Sequence, residues 1–330
     1  MLARIVFLTL MLFLVGQRAS FAEISFINKP EVQRFVDEMA KKYQFDRGYL
    51  FALLDKVKVR PAIIQSVKTP LEQKPWSTYK ILFVTESRIR DGAKFWKKYA
   101  TALKKAEEEY NVPASIIVAT IGVETKYGKN TGNYRVIDAL VNLGFSSSPR
   151  ANFFKEELKE FLLLAREQQL DPLSVMGSYA GAIGQPQFMP SSYRRYAVSF
   201  SGNPSIDLSN NQLDVIGSIA NYYHKKGWTN EQPVALPLSL KSNKFQVLMD
   251  TNNEQPAFSQ LDLAKYGILH NDKFFPNQKV KLIELEGRFG KEYWLGFHNF
   301  DVIRRYNPSD LYAMAVYQLS YYITQVKDRG

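Results

Sequence analysis

The sequence of 330 residues contains no cysteine. This absence excludes disulfide bonds, thiol catalysis and any lipid anchor attached through an N-terminal cysteine. The fold must therefore be held together by packing alone. Long apolar runs are also missing after the first residues, so no later segment is predicted to span a membrane. The chain has neither an internal repeat nor a low-complexity tract.

The first 22 residues have the layout of a secretory signal peptide. Arg4 supplies the positive charge, Ile5 to Val15 forms an apolar run, and Ser20 and Ala22 place small residues where signal peptidase recognises them. The apolar run is too short to span a bilayer as a helix. We therefore expect residues 1–22 to be removed after Ala22 during export.

The mature chain would keep 308 residues, enough for about two domains. Removing Arg4 and Arg18 from the formal charge of +11 leaves +9. Such a basic balance suits an anionic partner, whether peptidoglycan with its peptide carboxylates, a membrane surface or nucleic acid. Export makes nucleic acid the weakest of these three, and charge alone does not exclude a role in solubility only.

Apolar residues recur at helical spacing along most of the chain, which predicts a mainly helical protein. One segment differs, because short β-prone runs among Asn, Pro and Gly predict a small β insertion over residues 231–293, including Phe245–Met249 and Val280–Leu285. An extended connection is predicted over residues 69–91. The predicted helices are two or three over residues 29–68, one long helix over 92–110, and single helices over 114–127, 153–169, 213–226 and 308–327.

Glu124 has an unusual setting on its predicted helix. The residues three, four and seven positions earlier are Ile121, Thr120 and Ile117, so the carboxylate projects from the stripe expected to face the interior. No lysine or arginine stands where a helical ion pair would need it. Apolar surroundings favour the protonated carboxyl, which a general acid near neutral pH requires. From the helix pattern alone, a structural role remains an equal alternative.

A second feature is the glycine-rich segment Gly177–Ser192, which combines three glycines, two glutamines and several hydroxyls. Small residues allow a ligand close to the backbone, and amides offer a donor and an acceptor for sugar hydroxyl and acetamido groups. The segment lacks the Gly-Lys-Ser/Thr of a phosphate loop. A helix contact followed by a turn would explain its glycines and leave Gln185 and Gln187 unexplained.

Aromatic residues make up 14% of the chain, and tyrosines cluster towards its C-terminal part. Rings with a polar tip suit the apolar faces and hydroxyl rims of sugars, although most are expected in the core. Spacing does not show which of them line a groove. The clustered tyrosines are Tyr222, Tyr223, Tyr306, Tyr312, Tyr317, Tyr321 and Tyr322.

Three ordered motifs resemble the family of membrane-bound lytic murein transglycosylase B. They are Ile121–Gly128, Gly177–Tyr193 and Arg305–Val316, and the resemblance runs from about Trp76 to Gln318. It implies a mainly α (α+β) fold, with a lysozyme-like catalytic core, a helical domain and a small inserted β domain. The implied bounds are residues 23–100 with 300–330 for the helical domain, 101–230 for the core and 231–299 for the β domain.

The resemblance also implies the reaction and its residues. The expected reaction cleaves the β-1,4 bond between N-acetylmuramic acid and N-acetylglucosamine in peptidoglycan, leaving a 1,6-anhydromuramyl end. Glu124 matches the single catalytic residue, acting as acid and then as base. Phe153 replaces a groove tyrosine of the family, so it keeps the ring and loses the hydroxyl. The implied substrate-binding residues are Ser178, Gln187, Tyr222, Tyr306, Asn307, Tyr312, Tyr79 and Phe153.

Two departures from the family pattern change what is expected. Some relatives carry an EF-hand-like calcium loop, and the matching segment here is Ser199–Asn210. Pro204 stands where glycine is wanted, Asn210 where a bidentate carboxylate would sit, and Asp207 is the one carboxylate left, so we expect no metal and no cofactor. Without a lipidation cysteine, we expect a periplasmic monomer with no membrane anchor. Its expected partners are glycan strands, with cell-wall synthesis or division proteins as candidates and no nucleic acid.

Two alternatives to a transglycosylase stay open from the sequence. A muramidase that uses water needs a second carboxylate, for which Asp138 and Asp171 are the candidates. Asp171, followed by Pro172, has the pattern of a helix cap. A peptidoglycan-binding protein without catalysis is the other alternative.

Overall fold

The computed structural model describes residues 26–66, 73–230, 232–238, 240, 243–249, 258–266, 268 and 278–329. These residues fall into two compact units that divide between Lys56 and Val57. The predicted signal peptide lies outside the described residues. The domain bounds at residues 100, 230 and 299 remain predictions.

The first unit contains a 3-10 turn and two helices, α1 (Pro30–Tyr43) and α2 (Arg47–Asp55). Pro30 stands in the first turn of α1, where its missing N–H removes no helical hydrogen bond. Gln44 ends α1 in the left-handed conformation with φ 58°. The Asp46 side chain then caps α2 by accepting from the Tyr49 backbone N–H. This part of the predicted helical region is confirmed.

Helices dominate the second unit as well. The side chains of Thr85, Asn211 and Ser309 cap the helices that begin at Glu86, Gln212 and Asp310. The helices of this unit are α3 (Pro61–Ser66), α4 (Trp76–Phe83), α5 (Glu86–Lys98), α6 (Ala100–Tyr110), α7 (Ala114–Thr125), α8 (Val136–Gly144), α9 (Ala151–Glu167), α10 (Pro190–Tyr196), α11 (Gln212–Lys225), α12 (Gln246–Met249), α13 (Gln260–Lys265), α14 (His298–Arg304) and α15 (Asp310–Lys327).

Helix α7 is the centre of this packing. Ten of its 12 residues are buried, and it contacts α5, α6, α11 and α15. A helix that is apolar on all sides has to be surrounded in this way. Pro113 is the N-cap of the helix and has a non-helical backbone conformation. Lys126, with φ 51°, ends the helix. Glu124 therefore lies in the last turn of a helix that α5, α6, α11 and α15 pack against.

Two predictions around α5 are wrong. The region predicted as extended contains α4 and the start of α5, because Pro75 stands just before the first turn of α4, where a proline does not interrupt a helix. The predicted long helix over residues 92–110 is two helices, α5 and α6. Tyr99 separates them, with φ −112° and ψ 26°.

The strands form two small antiparallel sheets. In one, β1 (Tyr134–Arg135) pairs with β2 (Met176–Gly177). In the other the order is β3 (Ala235–Leu238), β5 (Gly290–Gly296) and β4 (Lys281–Gly287), so the predicted strand at 280–285 is confirmed. The predicted β-run Phe245–Met249 is wrong, because it is helical. Phe245 and Leu248, three residues apart, both enter the core beside this sheet, as helical spacing allows.

No helix among the described residues is both long and apolar enough to cross a membrane.

Candidate active site

Glu124 meets the C-terminal helix α15 through a direct hydrogen bond. The Tyr312 hydroxyl donates to Glu124 Oε1 over 2.6 Å. Tyr312 is only 2% exposed, whereas Glu124 is half-buried, so this carboxylate lies at the boundary between core and solvent. Thr120 and Ile121, one turn earlier on α7, are fully buried. A carboxylate in such a place can reach a substrate and still be held by the protein.

The backbone after Glu124 is fixed by an unusual turn. Lys126, Tyr127 and Gly128 have φ values of 51°, 60° and 82°, three successive residues in the left-handed region. The Tyr127 hydroxyl donates to the Arg88 carbonyl over 2.8 Å, and Arg88 Nε donates to the Gly122 carbonyl over 2.9 Å. These bonds tie the end of α7 to α5 and compensate the strain of the turn.

A tyrosine cluster, which we define as Tyr222, Tyr223, Tyr306 and Tyr312, surrounds this end of α7. The rings of Tyr306 and Tyr312 are nearly parallel, with centroids 6.1 Å apart and an interplanar angle of 16°. Tyr306 also lies 4.7 Å from Tyr222 and 5.6 Å from Tyr223, measured between centroids. Four of the sequence-predicted residues, Glu124, Tyr222, Tyr306 and Tyr312, are thus brought together.

The cluster keeps its hydroxyls protonated. Burial, and after it the nearby Glu124 carboxylate, raise the pKa of Tyr306 and of Tyr312 well above the ordinary tyrosine value. Burial likewise raises the pKa of Tyr222. The hydroxyl groups of these three tyrosines therefore remain hydrogen-bond donors throughout the physiological pH range.

Two hydroxyls of the cluster are anchored to the backbone and a third to a side chain. Tyr306 donates to the Pro186 carbonyl over 2.5 Å, and Tyr222 donates to the Arg305 carbonyl. Thr120 Oγ1 donates to the Ile116 carbonyl and lies 2.9 Å from the Tyr223 hydroxyl, which is then the donor in that pair. The rings are fixed before any substrate arrives.

The glycine-rich segment is fastened directly to the end of α7. Thr125 Oγ1, next to Glu124, donates to the Gln185 carbonyl over 3.0 Å. Gly184 has φ 71°, and a Cβ at this position would lie 2.5 Å from the Leu208 carbonyl oxygen. Glycine is thus required here both by conformation and by space. The glycine-rich segment and the end of α7 that carries Glu124 are thus joined rigidly.

The two glutamines of the segment have different roles. Gln185 is 2% exposed and donates from Nε2 to the Ser209 carbonyl over 3.0 Å, so its role is structural. Gln187 is half-buried and has φ 49°. Its Nε2 donates to the Thr131 carbonyl over 3.1 Å and to the Gly184 carbonyl over 2.9 Å. With both amide hydrogens used, Gln187 can offer a substrate only its carbonyl oxygen.

Ser178 can offer the complementary group. Its Oγ accepts from the backbone N–H groups of Ala180 and Ala182, over 3.3 and 3.1 Å. Because these bonds use the lone pairs of the oxygen, the hydroxyl hydrogen remains for an acceptor on a ligand. A donor at Ser178 and an acceptor at Gln187 match the two ends of an amide.

The other residues predicted to bind substrate occupy more varied places. Tyr79, on α4, is 1% exposed and stacks on Phe83 at 4.5 Å, so its ring presents almost no surface. Phe153, on α9, is 39% exposed, with the Arg150 guanidinium 4.8 Å from the centroid of its ring. Asn307 is half-buried in the loop between α14 and α15. Roles of these three in a groove stay predictions.

The two candidate second carboxylates have structural partners. Asp138 is 1% exposed and receives hydrogen bonds of 2.9 and 2.7 Å from Arg135 and of 3.0 Å from the Lys58 backbone. The predicted helix cap at Asp171 is wrong, because no helix begins there: Asp171 accepts from the Leu173 backbone N–H over 3.0 Å in a turn between α9 and β2. A paired, buried aspartate and a carboxylate engaged in a turn are poorly placed to activate water.

The segment Ser199–Asn210 is organised by Asp214, a residue that the sequence pattern did not single out. Asp214 is fully buried, and its two oxygens accept from the backbone of Ser201 over 2.9 Å and of Asp207 over 3.0 Å. The Asp207 carboxylate in turn accepts from Ser209 and Asn210. Both carboxylates accept hydrogen bonds from backbone N–H groups. In a calcium loop the carboxylate oxygens would instead face the ion. In the part of the chain that the structure describes, no group of three or more His, Asp and Glu side chains could hold a metal.

Known proteins resemble the chain over most of its length. The profile of the family described as "Transglycosylase SLT domain" matches residues 28–321. The chain belongs to this family. Membrane-bound lytic murein transglycosylase B of Escherichia coli (strain K12) is 40% identical over 304 residues, which are 89% of this chain and 82% of that protein.

Two solved structures resemble this family member in fold. Soluble lytic transglycosylase SltB1 from Pseudomonas aeruginosa is 46% identical, with a TM-score of 0.85, over 91% of this chain and 100% of its own. SltB3 from Pseudomonas aeruginosa, in complex with NAG-NAM-pentapeptide, is 25% identical, with a TM-score of 0.76, over 89% of this chain and 79% of its own. The predicted family, the mainly α fold with a lysozyme-like core, and the enzyme class, a lytic transglycosylase of peptidoglycan, are confirmed.

Proposed function

We propose that Glu124 is the single acid and base with which this lytic transglycosylase cleaves the β-1,4 bond between N-acetylmuramic acid and N-acetylglucosamine. The observation that carries the proposal is the 2.6 Å bond from Tyr312 to Glu124, at the half-buried edge where the tyrosine cluster meets the glycine-rich segment. A family relative is known in complex with NAG-NAM-pentapeptide, which supports the same glycan as substrate here.

In the first step, the protonated Glu124 carboxyl donates its proton to the glycosidic oxygen. The bond from C1 of N-acetylmuramic acid to that oxygen breaks, and N-acetylglucosamine leaves as the alcohol. Positive charge develops at C1, where the acetamido group of the same sugar stabilises it. A glycosidase with two carboxylates would use the second carboxylate at this stage of the reaction.

In the second step, the Glu124 carboxylate removes the proton from the C6 hydroxyl of the same sugar. The C6 oxygen then attacks C1 and closes a 1,6-anhydro ring, so Glu124 recovers its proton and no water enters the product. The Tyr312 hydroxyl, as a donor, stabilises the carboxylate form that this step needs.

The groups around Glu124 suit this substrate. The Ser178 hydroxyl and the Gln187 carbonyl would bind the acetamido oxygen and N–H of one sugar. Tyr222, Tyr306 and Tyr312 would supply ring surface and fixed hydroxyls along the strand. We assign Asn307, Tyr79 and Phe153 to the same groove on the strength of the family motifs.

Replacement of Glu124 tests the role of the carboxylate. Glu124→Gln keeps the size of the side chain and removes the transferable proton, so release of fragments from purified sacculi should fall by at least about a thousandfold. Sedimentation with sacculi should show that the variant still binds them. Glu286→Gln, at an exposed position on β4, is the matched control and should cleave normally. Cleavage retained by Glu124→Gln would refute the assignment.

The alternatives predict different products. A muramidase would leave reducing ends that weigh one water more than anhydro ends, and the structural roles of Asp138 and Asp171 do not favour it. A binding protein without catalysis would show the same behaviour in the Glu124→Gln variant as in the wild type. We expect anhydro ends from the wild-type chain.

We also propose that the enzyme works without calcium. Asp207 and Asp214 are engaged by backbone N–H groups, and Ser199–Asn210 offers no further carboxylate. Addition of calcium chloride, or of a chelator, should move the melting temperature by less than about 1 °C, since only a ligand that binds the native state stabilises it. A saturable rise with calcium would contradict this proposal.

The setting of the reaction follows from the export signal and the substrate. We propose a periplasmic monomer that is released from its signal peptide after Ala22. Glycan strands are its partners, and proteins of cell-wall synthesis or division are candidates for others. No role with nucleic acid is proposed.

A further inference from the structure

The C-terminal tyrosines of α15 face a different part of the molecule from Tyr312. Tyr321 follows Tyr312 by nine residues, which is two and a half helical turns, so the two side chains lie on opposite sides of α15, about 13 Å apart along its axis. Tyr321 is 54% exposed and Tyr322 is 37% exposed. The catalytic site therefore leaves these rings unused.

Two hollows of about 310 and 250 Å³ lie on this side of α15 and share Tyr317 and Tyr321. We call them together the distal groove. Trp294 of β5 and Tyr322 add rings to the larger hollow, where Trp294 and Tyr317 meet edge to face at 6.4 Å. With Trp228 of the smaller hollow, five aromatic residues thus line the distal groove.

Each hollow is also lined by a residue that has a buried polar atom without a hydrogen-bond partner. In the larger hollow it is the acceptor Oε1 of Gln318, and in the smaller one it is the donor Nε1 of Trp228. Gln318 and Trp228 thus bring an amide and an indole N–H to the lining of the two hollows. Such groups can pair with the hydroxyl and amide groups of a ligand.

The charges favour a neutral ligand. Among the described residues that line the two hollows, Lys80 is the one cation and Glu292 the one carboxylate. A groove for the carboxylate-rich stem peptides, or for an anionic membrane, would carry an excess of cations. Aromatic rings with amide, hydroxyl and balanced charged groups match the apolar faces and polar rims of N-acetylated sugars.

We propose that the distal groove is a second glycan-binding site, which holds a peptidoglycan strand while Glu124 cuts. The inference rests on the proposed function, because the glycan is the substrate that the active site takes. Two sites on one polymer bind it more tightly than either site alone, through their high effective concentration. This gain in binding affinity should appear on whole sacculi and be absent on short fragments.

Sedimentation with purified sacculi tests the groove in the full-length Glu124→Gln protein. Adding Tyr321→Ala and Tyr322→Ala removes two exposed rings and should weaken binding by roughly tenfold. Phe289→Ala removes a ring that is 96% exposed at the β4–β5 turn and should leave binding unchanged. Equal binding by all three proteins would overturn the proposal.

Two further measurements distinguish a glycan site from a stem-peptide site and from structural damage. Sacculi stripped of stem peptides by an amidase should show the same loss, and a loss confined to intact sacculi would overturn a glycan site. With Glu124 restored, the double variant should turn over a short soluble fragment normally and sacculi slowly. Loss on the short fragment as well would show structural damage and overturn the proposal. Failure of the wild-type chain to form anhydro ends would refute the proposed reaction and leave the binding comparison unaffected.

Discussion

At the scale of single residues, the chemistry depends on how Tyr312 holds Glu124. A hydroxyl that donates to a carboxylate over 2.6 Å orients it and stabilises its charge. The pKa of Tyr312 is raised far above its ordinary value by burial and by Glu124, so this donor is never lost by ionisation at physiological pH. The tyrosine acts on the reaction through the glutamate.

Tyr312→Phe should lower kcat by roughly 10- to 100-fold with little change in KM, because a hydrogen bond to a charged group contributes about 1.5–3 kcal/mol. Initial rates on soluble glycan fragments measure both constants. Tyr193→Phe is the control, because it removes a buried hydroxyl that donates to the Ile206 carbonyl over 2.7 Å, outside the tyrosine cluster, and should cost stability with kcat retained. A Tyr312→Phe enzyme with normal kcat would show that the bond plays no catalytic part.

The sequence predicted the residues of this site better than their individual tasks. Glu124 stood out because the apolar stripe of α7 and the family motif agree on it. Gln185 and Gln187 looked equivalent, but burial and partners such as Ser209, 24 residues away, give them different roles. Such a long-range partner leaves no local periodicity and could not be predicted. The backbone groups that Asp214 binds from the first turn of α11 could not be predicted either.

At the scale of elements, the segment after Gly177 keeps Glu124 in place. Gly184 adopts φ 71° and leaves no room for a Cβ beside Leu208, whereas Gly202, with φ 80°, has open space around it. The two glycines thus share a backbone conformation and differ in packing. This difference makes them a matched pair.

Gly184→Ala should reduce the free energy of unfolding by about 3 kcal/mol, through the left-handed conformation and the clash together. Gly202→Ala should cost about 1 kcal/mol, because it carries the conformational penalty alone. Urea unfolding followed by circular dichroism measures both. Similar losses in the two variants would mean that the contact with Leu208 can relax freely.

Two segments differ from their predicted structure because their sequence patterns fit more than one element. Pro75 suggested an extended chain, yet a proline just before a first helical turn is compatible with a helix such as α4. The apolar run Phe245–Met249 was too short for its period to separate strand from helix, and packing made it helical. Helices with long amphipathic patterns, such as α9 and α15, were predicted within two residues of their ends.

At the scale of the whole molecule, α15 connects two surfaces. Its first turn carries Tyr312 at the catalytic site, and its later turns carry the rings of the distal groove. The formal charge of +9 expected for the mature chain would give a general attraction to an anionic cell wall, and the rings would add contacts to the sugars themselves. A polymer-cutting enzyme with these features should stay near its strand between cuts.

The central claim is that Glu124 alone transfers the proton and that the attacking oxygen comes from the substrate. Digestion of sacculi in water enriched in heavy oxygen, followed by mass spectrometry of the fragments, tests it most directly. We expect muramyl ends that are one water lighter than reducing ends and carry no heavy oxygen. Reducing ends that hold a heavy oxygen, formed in place of anhydro ends, would contradict it.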